Sequence, residues 1–438
     1  MATTISLTDE VRAAHDEFVF PALRPYYRDP IVIAQASGVT VTDTDGIEYL
    51  DAFAGILTTS LGHCHSDVVQ RVQDQVARLG HTSALYLTEQ HVGAARRLAG
   101  ITPGRLRRSF FVNSGTEAIE TAIMMACSFT GRSEIVALRY AYAGRSLLAS
   151  EITAQSAWRP VPTMVAGVRH ALAPYLYRSP FGNVTEEQAA ELYARDVEEV
   201  IMTTTNGRPA AFIAETIQGV AGYIVPPRGY FQRVAEIIRG VGGVLIIDEV
   251  QAGFGRTGGK WFGIEHWDVE PDIMVMAKGI ANGFPVGVAV CTDEIGAAWK
   301  AKTISTFGGN AVSMAAVDAT LEVMMREDVP ARAAARGAQL RAGLDALAQR
   351  HSWIGDVRGM GLMQALELVD DRTSKTPSPR RAQALLEATK AERLLVGIGG
   401  MHGHVIRFGP SLLITASEID DVLARLTRAC DHVARSTP

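Results

Sequence analysis

The chain has 438 residues and a formal net charge of −5 at pH 7, and hydrophobic residues make up 47% of it. This length suggests two or three domains with a large apolar core, and the mild charge without blocks of one sign excludes a strongly basic nucleic-acid or membrane-surface protein. The four cysteines, Cys64, Cys127, Cys291 and Cys430, lie far apart without a CxxC spacing, which favours a reducing compartment over a disulfide framework or a zinc site.

No targeting or anchoring segment is evident. No apolar stretch reaches the roughly 18 residues that a membrane-spanning helix needs. The segment from Met1 to Glu10 has neither the basic nor the apolar region of a secretory signal. We therefore expect a cytoplasmic protein with no membrane partner, no nucleic-acid partner and no bound metal.

The first predicted unit is an N-terminal segment over residues 1–60. Residues 8–20 have the spacing of a short amphipathic helix. Residues 39–50 predict a β-hairpin around the turn Thr44-Asp45-Gly46. We expect this segment to pack with the small domain at the other end of the chain.

A large domain is predicted over residues 61–318. Helical stretches such as 115–130 and 229–241 alternate with short apolar runs, which are found at 109–112, 134–138, 210–215, 244–248, 273–277 and 286–291. This alternation predicts an α/β domain with a mixed, mostly parallel sheet. Residues 319–438 predict a smaller α+β domain, with helices over 330–350 and 380–393 and strands over 362–368 and 404–408.

A lysine and an aspartate follow two of the apolar runs in the large domain. Asp248 ends the run at 244–248, and Lys278 comes just after Ile273-Met274-Val275-Met276. The carboxyl ends of parallel strands meet where α/β sheets bind ligands, so we expect the two side chains to lie close together. An amine that forms a Schiff base beside a carboxylate is what pyridoxal 5'-phosphate chemistry requires. A solvated lysine and a turn-capping aspartate are the structural alternatives.

A small-residue turn predicts an anion site. Ser114, Gly115 and Thr116 follow the strand at 109–112 and open a helix, where free N–H groups and the helix dipole attract a phosphate. A helix N-cap without a ligand is the alternative interpretation. The hydroxyl- and glycine-containing turn around Thr306 is a second phosphate candidate, against the alternative of a plain loop.

Four further positions have side chains suited to a planar cofactor or a carboxylate substrate. Val250 and Gln251 follow Asp248 and can reach a bound ring, and Tyr142 can stack on it or simply fill the core. Arg407, on the predicted strand at 404–408, suits a substrate carboxylate or a structural ion pair.

Two motifs in the chain suggest other functions. The segment 253–258 fits G-x-G-x-x-G, but a dinucleotide site requires the motif to open a helix, and residues 259–263 are typical of a loop. The segments His63-Cys64-His65 and His402-Gly403-His404 lack further ligands at a recognisable metal spacing. A nicotinamide oxidoreductase that uses the glycine motif and a catalytically silent protein of the same fold remain alternatives.

Taken together, these residues resemble the class III (omega-type) aminotransferases, and within them the alanine–glyoxylate aminotransferase 2-like subgroup. The strongest matches are 111–118 and 246–258 with Lys278 downstream, and the resemblance runs over nearly the whole chain. It implies the fold type I architecture of pyridoxal-phosphate enzymes. It also implies transfer of an amino group from an amine or omega-amino acid to a 2-oxo acid, such as pyruvate, by a ping-pong mechanism.

The resemblance implies a role for each position of the site. Lys278 would form the Schiff base with pyridoxal 5'-phosphate, and Asp248 would pair with its pyridine nitrogen. The remaining cofactor contacts would come from Ser114, Gly115 and Thr116 at the phosphate, Val250 and Tyr142 at the ring faces, and Gln251 near the phenolic oxygen.

The resemblance also implies a homodimer with shared active sites. Thr306 would reach the phosphate bound by the neighbouring subunit, and two dimers can join as a tetramer. Glu215 would pair with Arg407, and this pair would open for a substrate carboxylate and close for a substrate without one.

The chain departs from the family pattern next to Tyr142, where Ala143 replaces the usual histidine, so the shape of the pocket near the ring differs. A decarboxylating or phospho-lyase relative with the same cofactor is the main alternative function. The dialkylglycine decarboxylases carry Asp-Glu-Ala-Gln where this chain has Val250 as the third residue, and a glutamine at the position aligned with Ile56. Both differences favour transamination.

Overall fold

A computed structural model describes residues 6–162 and 164–436 of the chain. The α-helices in this part are α1 (Leu7–Phe18), α2 (Ala54–Leu57), α3 (Ser66–Arg78), α4 (Glu89–Ala99), α5 (Gly115–Thr130), α6 (Leu147–Ile152), α7 (Glu186–Thr204), α8 (Tyr230–Gly240), α9 (Asp293–Ala298), α10 (Ala311–Arg326), α11 (Val329–Arg350), α12 (Pro379–Ala391) and α13 (Ala416–Ser436). Short 3-10 helices occupy Ser156–Trp158, Leu176–Arg178, Gly263–Trp267 and Lys278–Ala281.

The β-strands are β1 (Ile33–Ser37), β2 (Thr40–Asp43), β3 (Glu48–Asp51), β4 (Arg108–Val112), β5 (Ile135–Leu138), β6 (Val168–Ala171), β7 (Ala211–Glu215), β8 (Val244–Asp248), β9 (Ile273–Met276), β10 (Gly287–Cys291), β11 (Ile354–Met360), β12 (Met363–Leu368), β13 (Leu394–Leu395), β14 (Gly397–Gly399) and β15 (Val405–Phe408). Each apolar run predicted for the large domain is a strand, and the predicted hairpin is formed by β2 and β3.

The central sheet contains seven of the described strands in the order β4-β10-β9-β8-β7-β5-β6. Strands β5 to β9 pair in parallel, whereas β10 lies antiparallel between β4 and β9. This arrangement confirms the predicted mixed, mostly parallel sheet and the α/β class. Successive side chains of β8 alternate between two apolar cores, because Leu245 and Ile247 belong to one and Val244 and Ile246 to the other. The strand is therefore covered on both faces.

Two smaller sheets connect the ends of the chain. The C-terminal part forms a four-stranded sheet in the order β11-β12-β15-β14, against which α11 and α12 pack. The N-terminal strands form a second sheet, in the order β1-β2-β3-β13, so β3 pairs in parallel with a strand from the C-terminal part. This pairing links the N-terminal segment to the small domain. The predicted domain limit at 318 lies inside the single helix α10.

Some of the elements are absent from the sequence-based prediction. Strand β6 is an edge strand with mostly half-buried residues, so it lacks the apolar run that identifies a buried strand. Helices α7 and α13 are amphipathic, and their apolar positions recur at helical spacing. Across residues 6–162 and 164–436, we find no helix that is both long enough and apolar enough to cross a membrane.

Candidate active site

The predicted lysine and aspartate lie at one edge of the central sheet. Asp248 is the last residue of β8, and Lys278 follows β9, which is the next strand in the sheet. Glu215 ends β7 on the other side and is the register partner of Asp248. The carboxyl ends of parallel strands share one edge, and all three side chains line one cavity of about 690 Å³.

The same cavity collects most of the predicted cofactor contacts. Its lining includes Ser114, Gly115, Thr116, Tyr142, Val250 and Gln251. Two predicted site residues lie outside the lining. Thr306 is exposed in the loop before α10, and Arg407 is buried in β15 with 4% of its surface exposed.

The N-terminus of α5 forms one wall of the cavity. Ser114 is the N-cap, and its Oγ accepts a hydrogen bond from Glu117 N at 3.2 Å. The hydroxyl proton of Ser114 can still be donated to a ligand. The N–H groups of Gly115 and Thr116 lie in the first turn, where an α-helix offers unsatisfied donors and a positive dipole. Ser114 is thus an N-cap in a position that also suits an anion.

Close packing at Gly287 holds this helix start against the sheet. A Cβ atom at Gly287 would lie 2.0 Å from the carbonyl oxygen of Ser114. Gly287 begins β10 and pairs with Val112 of β4, so the backbone leading into α5 crosses the first residue of the neighbouring strand. A glycine is required there because the approach leaves no room for a side chain.

Burial tunes the acid–base properties of Lys278. Its backbone φ of 46° lies in the left-handed region, which is strained for a residue with a side chain and is found most often at functional sites. Burial, helped by the positive charge of Arg407 and opposed by Asp248 and Glu215, lowers the pKa of its amine to about 8. A substantial fraction of the amine is therefore neutral near pH 8.

Burial also controls the two acids of the cavity. It raises the pKa of Asp248 to about 6, against a hydrogen bond that Asp248 Oδ1 accepts from Val250 N at 2.8 Å. Burial, together with the charge of Asp248, raises the pKa of Glu215 to about 8. An ionised Asp248 lacks solvation, so a cationic ligand atom beside it would be strongly stabilised.

In this conformation Glu215 and Arg407 bind backbone groups and not each other, so the predicted gate between them is not in its closed form. Glu215 accepts hydrogen bonds from the backbone N–H groups of Tyr142 at 3.1 Å and Gly219 at 2.7 Å. Arg407 donates to the carbonyl oxygens of Gly219 at 3.1 Å and Ile398 at 2.8 Å. Each side chain is hydrogen-bonded to backbone groups, and Gly219 lies between them.

Aromatic rings fix the positions of Tyr142 and Arg407. The ring of Tyr142 meets that of Trp158 edge-on, with centroids 5.5 Å apart. The guanidinium of Arg407 lies 5.1 Å from the ring centroid of Phe53 and 5.6 Å from that of Tyr223. Arg407 Nε is buried without a hydrogen-bond partner among the residues that the structure describes, so it keeps a donor available for a carboxylate.

The residues of the cavity fit pyridoxal 5'-phosphate. An anion site at the start of α5, an amine on Lys278 and a desolvated carboxylate on Asp248 match its phosphate, aldehyde and ring nitrogen. Gln251 Oε1 is buried without a hydrogen-bond partner in the described part of the chain, which is unfavourable unless a ligand donor reaches it. The site therefore offers a partner for the phosphate, the aldehyde and the ring nitrogen of the cofactor.

Several residues that line the cavity are not among those predicted from the sequence. They include Thr58, Asn113, Arg145 and Phe284. Arg145 lies beside the anion site, because its backbone N–H donates to Thr116 Oγ1 at 3.3 Å. Asn113 N donates to Glu117 Oε2 at 3.0 Å, and the serine-to-glutamate spacing of a helix N-terminus was a signal for this contact.

The two alternative motifs do not form the sites that they suggest. The segment 253–258 forms consecutive turns and opens no α-helix, which a dinucleotide site would require. His63 Nε2 contacts Asp51 Oδ2 at 2.8 Å, and His404 Nε2 lies 3.2 Å from Glu367 Oε1. Among the residues placed by the structure, no three His, Cys, Asp or Glu side chains are grouped to hold a metal ion.

Comparisons with known proteins agree with this geometry. The sequence model of the family "Aminotransferase class-III" matches residues 24–430. The chain is 42% identical to alanine–glyoxylate aminotransferase 2 homolog 2, mitochondrial, from Arabidopsis thaliana, over 94% of this chain and 85% of that protein.

Solved structures give the same result for the fold. An aminotransferase from Bacillus anthracis superimposes with a TM-score of 0.92 at 30% identity, covering 98% of this chain and all of that one. A phospholyase from Arthrobacter in complex with phosphoethanolamine superimposes with a TM-score of 0.90 at 30% identity, covering 96% of this chain and 99% of that one. The chain therefore belongs to the class III aminotransferases, which are pyridoxal-phosphate-dependent enzymes with the fold type I architecture.

Proposed function

We propose that this aminotransferase takes its amino group from an amine or an omega-amino acid and passes it to a 2-oxo acid, with pyruvate as the acceptor. The observation that carries the proposal is the placement of Lys278, Asp248 and the α5 N-terminus around one cavity. The similarity to an alanine–glyoxylate aminotransferase 2 homologue supports a site that interconverts alanine and pyruvate, because each half of a ping-pong amino transfer is reversible.

Each site residue has a defined part in this proposal. Bound pyridoxal 5'-phosphate supplies an electron sink that acidifies the Cα–H bond of the donor. The Lys278 amine, partly neutral because burial lowers its pKa to about 8, accepts that proton and later returns it. Asp248 keeps a proton on the ring nitrogen, and the start of α5 holds the phosphate. Because the folded protein already holds these charged and polar groups in place, they need to move little during the reaction.

The proposal is tested with a panel of donors. The purified protein is incubated with pyruvate and, separately, β-alanine, γ-aminobutyrate and amines without a carboxylate, and the alanine formed is measured. We expect alanine with at least one donor class and none when the donor is left out. If no donor forms alanine but glyoxylate or another 2-oxo acid is aminated, pyruvate is not the acceptor.

A phospho-lyase reaction is the second candidate, and its support is the similarity to the Arthrobacter phospholyase. The same cavity would then bind an amine that carries a phosphate. Incubation with phosphoethanolamine and measurement of released inorganic phosphate separates the two functions. Phosphate release faster than amino transfer would favour the lyase.

We also propose that the protein acts as a homodimer in which each subunit completes the site of the other. Some large apolar side chains are exposed to an unusual extent for a stable monomer surface. Leu87 is 91% exposed and Phe307 is 59% exposed, and Thr306, next to Phe307, is exposed and does not line its own cavity. A second copy that covers this surface would bury the apolar groups and bring Thr306 to a neighbouring phosphate.

Complementation between two variants tests the shared site. Lys278→Ala and Thr306→Glu should each be inactive alone, since one lacks the amine and the other places a negative charge beside the phosphate. After the two are unfolded and refolded together, roughly a quarter of the wild-type activity should return, because mixed dimers keep one intact site. No recovery in verified mixed dimers would contradict the shared site.

For the location of the protein, we propose a reducing, cytoplasmic compartment. All four cysteines are unpaired, and Cys64 is exposed. Unpaired and exposed thiols are stable where disulfides do not form. Fractionation of the source cells followed by immunodetection tests the proposal, and accumulation in an organelle or outside the cell would contradict it.

A further inference from the structure

Residues 218–224, which we call the Gly219 loop, connect the two charged side chains on the substrate side of the site. The loop leaves β7 and closes on itself through hydrogen bonds between Gln218 and Ile224, at 3.1 and 3.2 Å. Gly219 N donates to Glu215 Oε2 at 2.7 Å, and Gly219 O accepts from Arg407 Nη1 at 3.1 Å. The loop therefore contributes to the positions of both Glu215 and Arg407.

The C-terminal part of the chain holds the Gly219 loop from the opposite side. Gly400 N donates to Val220 O at 2.9 Å, and Arg358 Nε donates to Gly222 O at 2.7 Å. Gly222 has a φ of 102°, and a Cβ atom there would lie 2.9 Å from Val405 Cγ2 and 3.0 Å from Arg358 Nη2. The loop therefore packs directly against Arg358.

Arg358 is itself held by a buried acid. Its Nη1 donates to Glu367 Oε2 at 2.6 Å and to Asp356 Oδ2 at 2.8 Å. Glu367 is fully buried and also accepts from Arg178 Nε at 2.6 Å and from the hydroxyl of Tyr175. A guanidinium that is fixed by two carboxylates loses little further freedom when it binds the carbonyl of Gly222.

We propose that Arg358, held by Glu367, is a positioning residue that fixes the Gly219 loop so that Arg407 is aligned to bind the carboxylate of a substrate. Arg358 does not line the cavity. It acts through the Gly222 carbonyl, the loop and the Gly219 carbonyl to which Arg407 donates. The loop also contributes Tyr223, whose ring lies against Arg407. This inference rests on the proposed role of Arg407 as the carboxylate-binding residue.

The inference predicts selectivity between donors that differ only in a carboxylate. Loss of the Arg358 contact should disturb the alignment of Arg407. This should slow the reaction of β-alanine, whose carboxylate Arg407 would bind, but not that of propylamine, which has no carboxylate. A displacement of about 1 Å in a positioning group can reduce a rate by roughly a hundredfold. For a partial loosening of the loop we expect about a tenfold effect on kcat/KM.

The test compares Arg358→Lys with Arg178→Lys in the purified holoenzyme. Both variants keep a positive charge beside Glu367. Arg358→Lys loses the guanidinium that binds both Glu367 and Gly222 O. Arg178→Lys leaves the Gly219 loop untouched, because Arg178 binds Glu367 and makes no hydrogen bond to that loop in the described residues. Rates of the half-reaction with β-alanine and with propylamine are followed by the absorbance of the bound cofactor.

We expect kcat/KM for β-alanine to fall about tenfold in Arg358→Lys, with a change of less than about twofold for propylamine. Arg178→Lys should change both donors by a similar factor. Equal losses for the two donors in Arg358→Lys, or the same selective loss in Arg178→Lys, would overturn the inference.

Hydrogen–deuterium exchange supplies a readout that does not depend on the reaction. Peptides that cover residues 216–225 should exchange faster in cofactor-free Arg358→Lys than in the wild type, while peptides of β8 and β9 stay unchanged. Unchanged exchange in the Gly219 loop would overturn the inference. If the wild type reacts with no amine, the proposed function fails, whereas this exchange comparison still decides whether Arg358 restrains the loop.

Discussion

Glu215 and Asp248 are register partners on adjacent parallel strands, so their carboxylates share one desolvated edge of the central sheet. Burial raises the pKa of both groups, and the charge of Asp248 adds to the shift of Glu215. Ionisation of two such neighbouring buried acids is unfavourable in the cofactor-free protein. It becomes favourable when a positively charged group lies between or beside them. The folding stability and the chemistry of the site are therefore linked through the same two side chains.

This link predicts a pH-dependent effect of Glu215→Gln on the cofactor-free protein. The pKa of Glu215 is about 8 in the folded state, against an ordinary value of 4.5. Between these pH values the Glu215 carboxyl is ionised in the unfolded chain but keeps its proton in the folded chain. It therefore lowers the folding stability as the pH rises. The glutamine variant lacks this cost. Its free energy of unfolding should rise relative to wild type by about 1 kcal/mol or more between pH 5 and pH 8.

Denaturant unfolding at several pH values measures this difference. Glu236→Gln, an exposed position on α8, is the control and should show no comparable trend. A stability difference for Glu215→Gln that is constant from pH 5 to pH 8 would show that the folded and unfolded carboxyl groups titrate alike.

Lys278→Ala should remove both the covalent attachment of the cofactor and the proton transfer at the donor carbon. We expect turnover to fall by at least about a thousandfold, and the visible absorbance band of the bound cofactor to disappear. Lys300→Ala is the control, because Lys300 is exposed at the end of α9 and donates to Ala297 O. Borohydride reduction followed by peptide mapping should find a cofactor adduct on Lys278 in the wild type. Normal activity in Lys278→Ala would refute the assignment.

Asp248→Asn should weaken cofactor binding and slow turnover by about a hundredfold or more, because the amide keeps the size but not the negative charge that stabilises a protonated ring nitrogen. Dialysis against buffer and measurement of retained cofactor report the affinity, and single-turnover rates report the chemistry. Asp268→Asn, at an exposed position after the 3-10 helix Gly263–Trp267, should leave both values near wild type. A near-normal rate in Asp248→Asn would remove the electron-sink role.

Gly287→Ala should destabilise the protein and loosen the anion site, because the added methyl would meet Ser114 O at 2.0 Å. Overpacking of this kind costs about 1–3 kcal/mol, and the displaced α5 N-terminus should bind phosphate more weakly. Gly296→Ala is a matched control, since its nearest neighbours lie at 3.5 Å or more. Thermal unfolding and cofactor titration test both effects. Equal behaviour of the two variants would show that the backbone at Ser114 can move without cost.

Much of the site was predictable because each of its parts depends on a local pattern. The apolar runs that end at Asp248 and just before Lys278 identify buried parallel strands, and such strands place their following residues at one edge. The small-residue turn at Ser114 identifies a helix start. Helix α13 carried an equally clear signal in the spacing of its apolar residues, Ile419, Val422, Leu426 and Cys430, although the prediction did not include it.

The positions of Glu215 and Arg407 were not predictable in the same way. Their identities suggest an ion pair, but in this structure each of them is hydrogen-bonded to Gly219 instead of to the other. Whether two side chains meet depends on the path of the backbone between them, and that path is fixed by contacts far away in the chain. Arg358 and Glu367, which hold the Gly219 loop, have no motif that connects them to the site.

The amino-acid sequence by itself determined the fold class, because strand periodicity and helix capping act over a few residues, and its resemblance to the class III aminotransferases indicated the reaction family. Only the tertiary structure decided how far burial shifts the pKa values of Lys278, Asp248 and Glu215, and which backbone groups hold Arg407. Desolvation and long-range hydrogen bonding depend on which segments surround a group, and those segments are brought together only when the chain has folded.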